Sequence, residues 1–250
     1  MKKLFAVILS ALIVCSFAAC GQAKTSQTAE TTAQAATKAE ESGKEEVIAG
    51  GFTDAESPVL DDAAKEVVAK ATETLTGVGY TPVAYVGSQI VAGVNHLILC
   101  KATPTVPDAK TTYALVKIYE DPQGKAEITD VQECDAEAPF DSTEMTGAYT
   151  EPETPVVTEE AKAALSKALE GLDGADYQAK ALLGTQVVAG TNYLLFCKIT
   201  PVTEKPVSSY AVVTVYENTD GTAEITETHD FAAAKDAPAA DEEQAQTSQG

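Results

Sequence analysis

The chain has 250 residues, of which 38 are Asp or Glu and 17 are basic, for a formal net charge of -21. Every basic residue is Lys, so nothing resembles a phosphate-tracking face, and nucleic acid is a poor partner on electrostatic grounds. The charge favours solubility and repulsion from anionic headgroups, and the length admits one or two domains.

In chain order, the first signal is at the start. Lys2 and Lys3 precede an apolar run from Leu4 to Phe17 that is too short to span a bilayer as a mature helix. The run closes on Phe17-Ala18-Ala19-Cys20, small residues before a Cys, as lipoprotein signal peptidase requires. Phe17 stands where Leu is commoner. Residues 1–19 therefore read as a lipoprotein signal peptide and Cys20 as the lipidated residue, with a plain secretory signal cut near Ala19 as the alternative. The expected location is the extracellular face of a bacterial cell membrane, held by acyl chains on Cys20. Residues 20–46 are rich in Ala, Thr, Glu and Gln without periodicity, which predicts a disordered tether.

From Gly50 the chain repeats itself after 97 residues without a gap. Pro58-Val59 falls on Pro155-Val156, Gly77 on Gly174, Tyr80 on Tyr177, and Gln89-Ile90-Val91-Ala92-Gly93 on Gln186-Val187-Val188-Ala189-Gly190. Tyr113, Tyr119 and Gly124 fall on Tyr210, Tyr216 and Gly221. The segmentation read from this is a first domain over 47–134, a linker over 135–146, a second domain over 147–231, and an acidic disordered tail over 232–250.

Each unit opens with a helix. Leu60, Ala64, Val67, Val68, Ala71 and Leu75 recur at helical spacing, mirrored by Val157, Ala161, Ala164, Leu165, Ala168 and Leu172. Asp61-Asp62 and Thr158-Glu159-Glu160 supply caps and acids at the helix start, and Gly77 and Gly174 are candidate C-caps. Strand-like runs follow at Tyr80–Ala92, Val94–Thr103, Thr112–Glu120 and Ala126–Val131, with counterparts 97 residues on. Asp121-Pro122-Gln123-Gly124 and Asn218-Thr219-Asp220-Gly221 suit tight turns. The fold class expected is α+β: two tandem domains, each one helix wrapped by a four- to five-strand antiparallel sheet.

The segment Gln186-Val187-Val188-Ala189-Gly190-Thr191-Asn192-Tyr193 resembles the first inhibitory hairpin of the cystatin family, nearest its stefin branch. Gly50-Gly51-Phe52-Thr53-Asp54-Ala55 resembles the glycine-bearing trunk of stefins, at a fitting distance upstream. The resemblance spans both units and implies a cystatin-like fold and a reversible inhibitor of papain-like cysteine proteases acting by active-site occlusion. It also implies protease-binding residues: Gly50, Gly51, Gln89, Ile90, Val91, Ala92 and Gly93 in the first copy, and Gly147, Gln186, Val187, Val188, Ala189 and Gly190 in the second. The trunk glycine lets backbone approach a narrow cleft, and a rigid tip loses little entropy on binding. Departures are evident. Cystatins commonly carry Pro-Trp on the second hairpin and stefins Leu-Pro; this chain has no Trp, and its second hairpins are polar. Ala148 also replaces the second trunk glycine.

Plainer readings stand beside these. A hairpin Gly serves the turn as readily as a ligand. Gln89 and Gln186 have no evident scaffold role in a strand end. Cys100 and Cys197 read as small buried hydrophobes, a reactive thiol being the alternative. Cys100, Cys134 and Cys197 are an odd number, which excludes a complete disulfide framework once Cys15 and Cys20 are set aside. His96 and His229 read as strand-surface residues and make no metal site. No nucleophile–base pair or cofactor motif is present, so the chain reads as a non-enzyme with no cofactor. The competing function is a surface binding or adhesion module on the same scaffold.

Overall fold

A computed structural model describes residues 51–138 and 147–233. The expected signal peptide, Cys20, the tether, Gly50, most of the linker and most of the tail lie outside these residues. No helix among the described residues is long and apolar enough to cross a membrane.

The first copy begins with a short strand β1 (Thr53–Asp54) and helix α1 (Asp62–Thr72). Strands β2 (Val78–Val91), β3 (Gly93–Pro104), β4 (Thr112–Glu120) and β5 (Ala126–Glu137) follow. The second copy repeats the order with α2 (Glu159–Ala168), β6 (Ala175–Val187), β7 (Gly190–Pro201), β8 (Ser209–Asn218) and β9 (Ala223–Asp230). A final strand, β10 (Ala232–Ala233), ends the described chain. All pairings are antiparallel, in the orders β1-β2-β3-β4-β5-β10 and β6-β7-β8-β9.

The helices start where the caps predict. Asp61 Oδ1 accepts from the Ala64 amide at 2.7 Å, and Thr158 Oγ1 from the Ala161 amide at 3.3 Å. They end sooner than the glycines suggest: α1 is capped at Glu73 and α2 at Leu169. Gly77 (φ +95°) and Gly174 (φ +108°) lie beyond, at the entry to the next strand, where the chain takes a left-handed conformation.

The expected fold class needs correction. The described chain is β-rich, ten strands in two sheets against helices of 11 and 10 residues, and neither helix is wrapped by its sheet. Each helix lies on one face of a sheet. Ala64, Val67 and Val68 of α1 pack on Ile98, Cys100, Ala114, Val116 and Ile118, and α2 packs likewise on Leu195, Cys197, Ala211, Val213 and Val215. The alternate residues face the other way and are buried too. Ala84, Val86, Leu99, Tyr113 and Leu115 meet Ala181, Leu183, Leu194, Phe196 and Val212 in one core shared by both copies. The layers therefore run helix, sheet, sheet, helix. The physical reason is that successive strand residues point to opposite faces, so Leu97-Ile98-Leu99-Cys100 presents apolar groups on both. A helix of 11 residues covers one face at most, and the other copy covers the second.

The contact between copies is self-complementary. Asp54 bonds Lys198 Nζ at 2.9 Å, and Glu151, 97 residues after Asp54, pairs with Lys101, 97 residues before Lys198. Pairing of i with j and of j with i is the mark of two-fold symmetry. Asp54 lies opposite Gly87, toward the turn of the β2–β3 hairpin, yet its partners Lys180 and Lys198 lie midway along β6 and toward the end of β7, away from the second tip. β2 touches β6 and β5 touches β9. Strands of the facing sheets thus run in opposed directions, and the two hairpin tips leave the sandwich at opposite ends. Past β9 the chain crosses over: β10 pairs with β5 of the first sheet, and Phe231 stacks edge-on against Phe196.

Candidate functional site

The residues singled out by sequence gather at one end of each copy. In the first, Ile90 and Val91 close β2 and are 77% and 44% exposed; in the second, Val187 and Val188 are 76% and 48% exposed. These are apolar side chains at a hairpin tip with water on them. Ala92 and Ala189 form the turns, and both are exposed. A hydroxyl holds each turn from behind: Tyr119 Oη donates to the Ala92 carbonyl and Tyr216 Oη to the Ala189 carbonyl, each at 3.0 Å.

That clamp explains the hairpin glycines. A Cβ on Gly93 would sit 2.4 Å from the Glu120 carbonyl oxygen and 2.8 Å from the Tyr119 ring. Gly190 meets the Glu217 carbonyl and the Tyr216 ring at the same distances. Both glycines are required by the fold behind the tip. The neighbouring Ile90, Val91, Val187 and Val188 offer the large apolar side chains outward.

The glutamines have a scaffold role that sequence reasoning missed. Asn95 Nδ2 donates to Gln89 Oε1 at 2.8 Å, and Asn192 Nδ2 to Gln186 Oε1 at 2.6 Å, each across its hairpin. In the second copy Gln186 Nε2 also donates to the Gly147 carbonyl at 2.6 Å. Gln186 thereby holds the trunk against the hairpin, helped by the Thr150–Thr185 bridge. In the first copy the trunk is set by Thr53 pairing with Ser88 and Asp54 with Gly87, and Gly51 is exposed just before it. Gly147 (φ +87°) is exposed, with open space where a Cβ would be. Its conformation, not crowding, favours glycine.

The second hairpins lie at the same end, because Val94 pairs with Glu120 and Gly190 with Asn218. Their turns are built from polar groups. Asp121 Oδ1 accepts from the Gln123 and Lys125 amides at 2.8 and 2.9 Å, and Asp220 Oδ1 from the Thr222 amide and hydroxyl at 2.9 and 2.6 Å. The Thr222 hydrogen bonds hold the Asp220 carboxyl below its usual range. Trunk, apolar first tip and polar second tip thus form one edge in each copy.

Other candidates are not at that edge. Cys100, Cys134 and Cys197 are buried free thiols, and burial pushes them up to about 12, 11 and 12, which leaves them unreactive at neutral pH. His96 is largely buried rather than a strand-surface residue. Its Nδ1 lies 2.9 Å from the Tyr85 hydroxyl and its Nε2 3.3 Å from Glu120 Oε2. The three line a cleft of about 270 Å³ under α1, with Val59, Glu66 and Lys70 at its rim. His229 faces Asp135 at 2.8 Å. No group of three or more His, Cys, Asp or Glu among the described residues is placed to hold a metal ion.

Compared with known proteins, the chain matches no family model and no curated sequence, so its function is argued from the geometry of this edge.

Proposed function

We propose that each edge is a docking wedge for a narrow protein cleft, and that the chain is a reversible inhibitor of papain-like cysteine proteases held at the outer face of the membrane through Cys20. The observation that carries this reading is the pair of exposed apolar residues at each first hairpin, Ile90-Val91 and Val187-Val188, set on a clamped turn beside the trunk. An apolar tip whose backbone is already fixed gives up little conformational freedom on entering a cleft. Occlusion then needs no reacting group. Water is displaced from the cleft, and no peptide bond of the inhibitor lies in line with the nucleophile.

Titration of papain with the full chain tests the reading. Loss of activity at or below micromolar concentration is expected, reversed on dilution. Full activity at that concentration overturns it. A second reading, a non-inhibitory surface binding or adhesion module, is favoured by the polar second hairpins, which lack an anchor for the far side of a cleft. Ile90→Asp with Val187→Asp separates the two, since a partner bound elsewhere on the molecule would be retained.

A further inference from the structure

We infer that the chain is bivalent, its two wedges engaging two separate protease molecules at the same time from opposite ends. The inference rests on the wedge reading above and adds a stoichiometry and a geometry to it.

The argument starts from the interface between the copies. If equivalent residues faced one another across it, Asp54 would lie against Glu151, a repulsive contact. Instead Asp54 meets Lys180 and Lys198, and Glu151 meets Lys101. The charges are complementary only in the opposed arrangement, so the electrostatics that close the interface also fix the tips apart. In addition, the faces committed to the shared core are those opposite the helices. The hairpin tips are not spent on holding the copies together: Asp54 of the first trunk reaches across, but Ile90, Val91, Val187 and Val188 all remain exposed.

Distance permits double occupancy. The facing strands match near Ala84 and Ala181, so each tip stands about seven residues beyond the midpoint. At roughly 3.3 Å per residue the tips are about 45 Å apart. A compact partner of about 200 residues has a radius of roughly 22 Å. Two such partners, one beyond each end, have centres well over twice that radius apart and do not collide. Each wedge is complete within its own copy, so occupancy of one end leaves the other accessible.

The copies are not identical, and the difference predicts unequal ends. The first trunk carries Gly51 where the second carries Ala148, and the first tip carries Ile90 where the second carries Val187. One end should fill before the other, in two steps of different affinity.

The test is the mass of the complex between the full chain and papain blocked at its active-site thiol by a small reagent, followed by sedimentation or light scattering through a titration. Two papain molecules per chain is the expected end point. Ile90→Asp/Val91→Asp and Val187→Asp/Val188→Asp should each lower it to one, and the four-fold variant to none, with unchanged melting temperatures because all four side chains face solvent. Saturation at one papain per chain overturns bivalency and leaves the wedge reading standing. Absence of any complex, together with full activity of unblocked papain, overturns the wedge reading itself. A two-to-one complex that survives the four substitutions places both partners elsewhere and overturns both.

Discussion

The two copies share a backbone but have filled the space under their helices differently. In the first, Tyr85, His96 and Glu120 form a hydrogen-bonded row lining an open cleft beside α1. In the second, Leu182 stands for Tyr85 and Tyr193 for His96, and both are buried, with the Tyr193 hydroxyl reaching Glu217 Oε2 at 3.4 Å. Both acids keep a nitrogen neighbour: His96 Nε2 lies 3.3 Å from Glu120, and Lys167 Nζ 2.8 Å from Glu217. Meanwhile the tips are held by the same bonds in both copies. The copies differ under the helices and agree at the tips, where the same Gln, Asn, Gly and Tyr hold the turn in both.

The largest effect on this comparison should come from the core that the copies share. Phe196→Ala removes a fully buried ring that stacks on Tyr210 and meets Phe231, at a cost of about 3–5 kcal/mol. Because Leu99, Tyr113 and Cys134 of the first copy belong to the same core, denaturant should melt both copies in one transition shifted as a whole. Two separate transitions would show the copies to be independent. Next in size are the hairpin glycines. Gly93→Val and Gly190→Val each drive a side chain into the carbonyl and tyrosine behind the tip and should cost about 1–3 kcal/mol, nearly equally, by the same measurement.

The charged contacts between copies should differ. Asp54 is four-fifths buried and bonded by both Lys180 and Lys198, so Asp54→Ala strands two part-buried cations and should cost about 2 kcal/mol. Glu151 is more exposed, with Lys101 as its ion-pair partner, and Glu151→Ala should cost under about 1 kcal/mol. Burial alone would raise Asp54, but the hydrogen bonds and charges of Lys180 and Lys198 outweigh it and hold the carboxyl below its usual range. The stability Asp54 contributes is therefore complete above the ordinary carboxylate range and lost as pH falls through the depressed value. Wild type should lose its advantage over Asp54→Asn on acidification below about pH 4, by thermal melts across pH. One further change should be a gain. Tyr85→Leu with His96→Tyr rebuilds the first copy on the pattern of the second, fills the cleft and should add about 1 kcal/mol.

Much of this arrangement could be read from the chain alone. Helix positions followed from apolar spacing and from Asp61 and Thr158, and the strands from strand-like runs between turn residues. Fold class was misjudged for a reason visible in Leu97-Ile98-Leu99-Cys100. Four apolar residues in succession mark a strand buried on both faces, which a single helix per copy cannot satisfy. Weighing that run would have called for a second cover. The tips were located by resemblance, but the role of Gln186 was hidden, since its partner Gly147 lies 39 positions away. The Asp54, Lys180 and Lys198 cluster was equally hidden, because its members become neighbours only when the copies close on each other.

The crossover of β10 has a consequence for how the molecule comes into being. Its pairing partner, β5, would otherwise be the bare rim of the first sheet, an invitation to strands of other chains. A chain made from its N-terminus presents the first copy before the second exists, with Leu99, Tyr113 and Leu115 uncovered and the outer edge of β5 unpaired. The first half must wait for residues nearly 100 positions downstream before its last strand and its inner face are sealed. During that interval its best substitute is the second half of a neighbouring chain, so crowded synthesis should yield exchanged dimers whose halves are correctly folded and wrongly partnered.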